Sequence, residues 1–139
     1  MKTSARNEFS TKIVDIKSGG VMSEIVLELS SGITLVATIT NSSKDALALE
    51  VGKEILALIK SSHIVLSKNN LATSARNNIK CSVTAVKTGA VNSEIELSLG
   101  DLRLYSVITN ESARELDIKN GDEIYIICKS TNVILALKD

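Results

Sequence analysis

Two short clusters of hydroxyl, amide and cationic side chains occur twice in this sequence. Ser4-Ala5-Arg6-Asn7 returns as Ser74-Ala75-Arg76-Asn77, and Lys60-Ser61-Ser62 returns as Lys129-Ser130-Thr131. None of these stretches contains a carboxylate. A tetrahedral dianion offers four acceptor oxygens and no donor, so its site must supply donors, as Arg, Lys, Ser and backbone N–H groups do. The clusters therefore favour a small-oxyanion site, although each one alone is also compatible with a capped strand end.

Catalytic chemistry is not indicated elsewhere in the sequence. His63 is the only histidine, and its counterpart in the second copy is Asn132, so we expect an exposed or edge-strand polar residue. No Ser-His-Asp set, no Cys-His pair at metal-ligand spacing and no phosphate-binding loop occurs. Cys81 and Cys128 lie in apolar runs and are expected to be buried thiols. The sequence thus predicts a protein that is not an enzyme, has no cofactor and ligates no metal directly.

Composition and charge narrow the classes of partner. Hydrophobic residues make up 44% and charged residues 23% of the 139 positions, as in a soluble globular protein. The formal net charge is zero. The residues up to Asn70 carry 8 basic and 7 acidic side chains, and the rest carry 8 and 9. A general polyanion binder has a basic excess, so we expect neither nucleic-acid nor membrane binding. Since neither a signal peptide nor a membrane span is visible, we expect a cytoplasmic protein.

The repeat divides the chain into two tandem domains, predicted at residues 1–69 and 70–139 and called here the first and second copy. A turn motif, Lys17-Ser18-Gly19-Gly20-Val21-Met22-Ser23-Glu24-Ile25, returns as Lys87-Thr88-Gly89-Ala90-Val91-Asn92-Ser93-Glu94-Ile95. Ile39-Thr40-Asn41 likewise returns as Ile108-Thr109-Asn110. The period is too long for a solenoid, which favours a duplicated small domain joined near residues 67–73.

Within each copy the pattern predicts three strands, a short helix and two further strands. Ile25, Leu27 and Leu29 alternate with polar or smaller residues, as in a half-buried strand. Residues 41–49 are the helical candidate, and the second copy adds the capping-box spacing Ser112-x-x-Glu115. Five strands with a helix after the third is the order of the OB fold. We therefore predict an all-β protein of two tandem OB-fold-like five-stranded barrels, each with one short helix.

These motifs together resemble the Mop domain of the molbindin family, once in each copy. The resemblance covers essentially the whole chain. A pair of such units is similar to the tandem di-Mop molybdate-storage proteins. It implies molybdate or tungstate as the ligand, storage or homeostasis without catalysis, and a homo-oligomer, in the family a trimer. Units of about 65 residues are marginal alone, which also favours assembly. Since the sequence opens at Met1, we expect no DNA-binding or ATPase domain before it.

The family resemblance also implies which residues bind. It places the pocket between Mop units, with Ser4 and Arg6 on one side and Lys60 and Ser61 from a neighbouring unit. The implied oxyanion-binding set is Ser4, Arg6, Thr40, Lys60, Ser61, Ser74, Arg76, Thr109, Lys129 and Ser130. A second class of oxyanion site is implied at Val91, Asn92 and Ser93. We expect no equivalent around Met22, whose side chain offers no amide donor.

Two other functions compete with this interpretation. One is an OB-fold protein that binds nucleic acid or oligosaccharide, which would combine a basic groove with aromatic stacking platforms. Only three aromatic residues are present, Phe9, Tyr105 and Tyr125. The other is a regulatory module whose affinity for a protein partner responds to the oxyanion. The sequence does not separate that role from storage.

Overall fold

The structure is a computed structural model that describes residues 3–30 and 32–138. The outer bounds of the predicted domains, residues 1 and 139, lie outside the described residues. Both copies have the same order of elements: three strands, a short α-helix, a fourth strand, a 3-10 turn and a short fifth strand.

The first copy contains β1 (Arg6–Ser18), β2 (Met22–Glu28), β3 (Thr34–Thr40), α1 (Asn41–Ala46), β4 (Glu54–Lys60), a 3-10 turn (Ser61–His63) and β5 (Val65–Ser67). The second contains β6 (Asn77–Thr88), β7 (Asn92–Leu99), β8 (Leu102–Thr109), α2 (Asn110–Glu115), β9 (Glu123–Cys128), a 3-10 turn (Ser130–Asn132) and β10 (Ile134–Ala136). The prediction of a mostly β chain with one short helix per copy is confirmed.

Alternation of apolar and polar residues places one face of each strand in the core. On β2, Ile25 and Leu27 have no exposed surface, whereas Glu28 on the other face is exposed. The same alternation recurs on β7, where Ile95 and Leu97 are fully buried. Burying one face of every strand in this way produces two curled five-stranded sheets, each around its own part of the core.

The two sheets exchange their last strands. Their strand orders are β10-β4-β1-β2-β3 and β5-β9-β6-β7-β8. Leu135 of β10 lies opposite Ala57 of β4, and Leu66 of β5 lies opposite Ile126 of β9. Each copy therefore completes the sheet of the other. The order of elements in the sequence did not indicate this exchange. The last strand of a copy, β5 or β10, has the same alternation of apolar and polar residues whichever sheet it joins.

Both helices are capped by threonine. Thr40 and Thr109 are extended, and their hydroxyls accept hydrogen bonds from the backbone N–H groups of Ser43 and Ser112, each at 3.1 Å. The prediction of a capping box that starts at Ser112 is wrong, because Ser112 lies inside α2 and Thr109 takes the cap position.

Two buried asparagines join the copies. The Asn7 amide donates to the Tyr105 carbonyl at 2.9 Å, and its side-chain oxygen accepts from the Tyr105 N–H at 2.7 Å. Asn77 forms the equivalent pair of bonds with Val36 of β3, at 2.9 and 2.8 Å. Each amide side chain thus pairs with the backbone of an edge strand in the other copy, as a neighbouring strand would.

Both cysteines are free and buried, as predicted. Burial raises the pKa of the Cys81 thiol from 9.0 to about 12, and that of Cys128 to about 11. The folded state therefore retains protons that the unfolded chain loses above about pH 9, so these thiols stabilise the fold fully below that pH. Their contribution is lost as the pH rises toward 11–12.

We expect the free energy of unfolding to fall above about pH 9, by up to about 1.4 kcal/mol per pH unit for each thiol. The double variant Cys81→Ala, Cys128→Ala should show a shallower alkaline slope, because the unfolded chain no longer releases these protons. Urea unfolding at a series of pH values measures both slopes. Equal slopes in parent and variant would mean that the thiols ionise as readily in the fold as outside it.

Candidate oxyanion site

Arg6 and Lys60 lie next to each other at one end of the first sheet. They are partners in the antiparallel pairing of β1 with β4, and the Ser61 N–H donates to the Ala5 carbonyl at 3.1 Å. Arg6 has a φ of 75°, an uncommon conformation for a residue with a side chain. The resemblance implied that Lys60 and Ser61 come from a neighbouring unit, but within the chain they share a sheet with Arg6. Ser4, Arg6, Lys60 and Ser61 are called here the first cluster.

The second cluster consists of Ser74, Arg76, Lys129 and Ser130. Here β6 pairs with β9 up to Asn77 and Cys128, so Arg76 and Lys129 are the next residues along both strands. Ser61 and Ser130 are buried, each 8% exposed, whereas the cationic residues and Ser4 and Ser74 are exposed. Each cluster therefore combines two solvent-accessible cations with one buried hydroxyl. Among the residues that the structure describes, neither Lys60 nor Lys129 has an ion-pair partner.

The arginine of each cluster contacts a glutamate of the other copy. Arg6 Nη2 lies 2.9 Å from Glu94 Oε2, and its guanidinium carbon lies 4.3 Å from the centre of the Tyr105 ring. Arg76 forms the equivalent bond, from Nη1 to Oε2 of Glu24. About half of each arginine side chain remains exposed, 49% in both cases. The guanidinium groups are thus oriented by the neighbouring copy and remain accessible to a ligand.

The second cluster has a further hydroxyl from the first copy. Thr38 Oγ1 lies 2.6 Å from Ser130 Oγ, and Thr38 is the cross-strand partner of Glu24. The equivalent position in the second copy is Val107, the partner of Glu94, which has no hydroxyl. Both clusters are therefore composed of residues from the two copies, but the first has one donor fewer.

Thr40 and Thr109 have their hydroxyls committed to the helix caps. Thr40 Oγ1 also donates to Ser43 Oγ at 2.9 Å, and Thr109 makes the same bond to Ser112. Thr40 follows Thr38 on one face of β3, so it lies on the side that meets the second cluster rather than the first. Thr40 therefore lies on the face of β3 that carries Thr38, and its hydroxyl caps α1.

Two open cavities, of about 390 and 370 Å³, are lined in part by residues of the second cluster or by Thr109. One is lined by Ser74 and Lys129 of the second cluster together with Ser62, His63 and Val65 of the first copy. The other cavity is lined by Thr109 and Asn92 of the second copy and by Ser62 of the first. His63 is exposed, as predicted, and contributes to the first of these cavities. The described residues that line the cavity at Lys129 provide hydroxyl, amide, imidazole, ammonium and apolar groups and no carboxylate.

The turn at Val91, Asn92 and Ser93 is held by hydrogen bonds to Asn110. Asn110 donates to the carbonyls of Val91 and Gly89, and its side-chain oxygen accepts from the buried Ser93 hydroxyl at 2.6 Å. Val91 is 71% exposed and Asn92 is exposed. The Asn92 carbonyl also explains why position 89 is glycine, because a Cβ there would lie 2.9 Å from it. Ser93 therefore fixes the turn, and the exposed amide of Asn92 is the available donor.

Sequence reasoning missed Thr38 and the two glutamates. The glutamates belong to the repeated turn motif, so their repetition was a visible signal, but their charge argued against an anion site. Thr38 has no repeated counterpart and gave no signal. Conversely, part of the polar repetition that favoured a ligand reflects structural bonds, since Asn7, Asn77 and Asn110 all tie segments of the fold together.

Among residues 3–30 and 32–138, no set of three or more His, Cys, Asp and Glu side chains is arranged to hold a metal ion. No helix in this part of the chain is long and apolar enough to cross a membrane.

Comparison with known proteins gives consistent matches over the whole chain. The TOBE domain matches residues 3–66 and again residues 73–135. Molybdenum transport protein ModE of Azotobacter vinelandii is 37% identical over 139 residues, which cover 99% of this chain and 52% of that protein. Molybdenum-pterin-binding protein MopA of Rhodobacter capsulatus is 36% identical over 140 residues, which cover 99% and 53%. The chain thus spans about half the length of these curated relatives.

A solved structure has the same fold over its full length. The chain is similar to the cytoplasmic molybdate-binding protein ModG, determined with molybdate bound, with a TM-score of 0.95 and 35% sequence identity. The match covers 99% of this chain and 100% of that one. The predicted resemblance to tandem Mop units and the predicted fold are confirmed.

Proposed function

The chain belongs to the TOBE-domain family, with two tandem copies of the domain, and we propose that it binds molybdate or tungstate without chemical conversion. The observation that carries this proposal is the pair of cation and hydroxyl clusters, each completed by residues of the other copy. Support comes from the match with molybdate-bound ModG over the whole chain. Storage or homeostasis of the oxyanion requires only these binding sites, whereas a regulatory role would also require a protein partner.

We propose that ligand charge is neutralised by one arginine and one lysine in each cluster. Arg6 and Lys60 provide the cations of the first site, and Arg76 and Lys129 those of the second. The remaining donors of these sites are Ser4, Ser61, Ser74 and Ser130, with Thr40 and Thr109 bordering them through the helix caps. A dianion between two cations gains charge-assisted hydrogen bonds while the hydroxyls fix its orientation.

For the second class of site we propose Val91, Asn92 and Ser93, with the roles that the turn allows. Asn92 supplies an amide donor, Val91 an exposed apolar contact, and Ser93 the bond that holds the turn. The first copy has Met22 where the second has Asn92, so the proposal covers one such turn per chain.

We further propose that the chain works as a cytoplasmic homo-oligomer, a trimer by analogy with the family. The physical support is a set of exposed apolar residues repeated at equivalent positions. Val21 and Val91 are 73% and 71% exposed, and Val65 and Ile134 are 58% and 56% exposed. Burying such side chains between copies of the chain is favourable, and each unit alone has a small core. Neither nucleic acid nor membrane is needed as a partner.

The regulatory alternative has one observation in its favour. ModE of Azotobacter vinelandii and MopA of Rhodobacter capsulatus are about twice as long as this chain, so a region similar to the whole chain forms part of larger proteins. In a regulatory role the oxyanion would change the affinity for a protein partner. Retention of a partner from cell extract only when molybdate is present would indicate regulation, whereas retention of none with or without it would favour storage.

The proposal predicts that molybdate raises the unfolding temperature and single-stranded DNA does not. A ligand that binds only the folded state stabilises it by RT ln(1 + [L]/Kd), about 2.7 kcal/mol at a hundredfold excess over Kd. Thermal unfolding with molybdate, tungstate or an oligonucleotide measures the shift. A shift with the oligonucleotide alone would instead support the OB-fold nucleic-acid alternative.

A further inference from the structure

Glu24 and Glu94 occur in the repeated turn motif, but oxyanion binding as proposed above gives them no role. A carboxylate and a molybdate ion are both acceptors only, so both require the same N–H donors. We propose that Glu24 and Glu94 determine the affinity of the two sites, because each competes with the oxyanion for the arginine of the opposite copy's cluster. This inference rests on the proposed function.

The geometry of both ion pairs fits an exchangeable contact. Each glutamate uses one carboxylate oxygen and one guanidinium nitrogen, Glu94 on Arg6 at 2.9 Å and Glu24 on Arg76. The glutamate side chains are 30% and 31% exposed. A single contact between partly exposed groups is weak and does not occupy the five N–H donors of a guanidinium. An oxyanion can therefore displace the carboxylate and take over the arginine.

Repulsion makes that displacement necessary. In the second cluster, Glu24 lies across the strand pair from Thr38, and Thr38 contacts Ser130. An oxyanion bound to Arg76 thus comes close to the Glu24 carboxylate, which contacts the same guanidinium group. Two anions in contact repel each other, and removal of the carboxylate charge removes this cost.

The two sites differ in what holds the arginine once the carboxylate has left. Arg6 retains the Tyr105 ring at 4.3 Å, whereas the position equivalent to Tyr105 in the first copy is Val36, which has no aromatic ring to offer Arg76. Arg6 stays oriented without Glu94, while Arg76 gains rotational freedom when Glu24 is neutralised. The gain in affinity is therefore larger for Glu94→Gln than for Glu24→Gln.

Calorimetric titration with molybdate tests this on Glu24→Gln, Glu94→Gln and the double variant, with Glu28→Gln as the matched control. Glu28 is exposed at the other end of the strand that carries Glu24, so it controls for the change in net charge. The double variant should bind molybdate roughly two- to fivefold more tightly than the parent. Glu28→Gln should bind like the parent.

Three outcomes would overturn the inference, and they are distinguishable. If the parent binds molybdate and the double variant binds it more weakly, the glutamates orient the arginines instead of competing. If the affinity of the double variant is unchanged, the glutamates do not compete with the oxyanion, and a lower unfolding temperature without ligand would show that the ion pairs only tie the copies together. If neither parent nor variants release or absorb heat with molybdate, the proposed function itself fails, and this inference fails with it.

Discussion

Replacing Lys60 and Lys129 together by alanine is expected to weaken molybdate binding roughly ten- to hundredfold per site. Each site loses one of its two cations, and a hydrogen bond to a charged group typically contributes about 1.5–3 kcal/mol. Both lysines are exposed, and neither has an ion-pair partner within residues 3–30 and 32–138. The double variant should therefore keep its mass in solution and its circular dichroism while its calorimetric affinity falls.

Lys12→Ala is the matched control for this variant. Lys12 is an exposed lysine of β1, and its counterpart in the second copy is Ser82, so it belongs to no repeated cluster. Its replacement should change neither affinity nor stability. Molybdate binding by the Lys60, Lys129 variant at parental strength would contradict the assignment of both lysines, and unfolding of the variant would show that they serve the fold.

Leu135→Ala is expected to destabilise the sheet of the first copy, although Leu135 belongs to the second. Its side chain is 9% exposed and packs in the core opposite Ala57 of β4. Truncating a buried leucine to alanine typically costs about 2–5 kcal/mol. Native-state hydrogen exchange should then show the largest gain in exchange among the β4 amides, since local opening releases β10 first.

Two further variants on the exchanged strands, one on β5 and one on β10, provide the comparison for Leu135→Ala. Leu66→Ala should give the opposite pattern, with faster exchange in β9, because Leu66 lies opposite Ile126. Ile134→Ala changes a side chain that is 56% exposed in the single chain, so exchange in β4 should stay close to that of the parent even though the variant truncates a proposed contact between chains. Faster exchange in β9 for Leu135→Ala would show that the last strand pairs within its own copy.

The fold could be predicted from sequence as far as local pattern reaches. Alternation placed Ile25 and Leu27 in the core, and the repeat made the two copies visible. The exchange of β5 and β10 was out of reach because strand pairing depends on which edge a segment reaches in space. The cap position was also misplaced, since Thr109 and Ser112 both precede a helical run and only backbone conformation distinguishes them.

The sequence predicted which residue types form the candidate site, but only part of how they are arranged in space. Repetition pointed to Arg6, Arg76, Lys60 and Lys129, and the structure places the arginine and lysine of each pair next to one another within one copy. The partners from the other copy, Thr38 and the two glutamates, depend on how the copies pack. Contacts between distant segments leave no periodic pattern in a single sequence.

The measurement that tests the central claim most directly is calorimetric titration with molybdate, tungstate, sulfate and phosphate on protein of known oligomeric state. Two cation and hydroxyl clusters per chain predict saturable heat with molybdate and tungstate, with weaker binding of the smaller sulfate and phosphate ions by a fixed set of donors. In the Lys60→Ala, Lys129→Ala variant the affinity of these clusters for molybdate should fall roughly ten- to hundredfold. No heat with any of the four oxyanions, or equal affinity in parent and variant, would contradict an oxyanion site at these clusters.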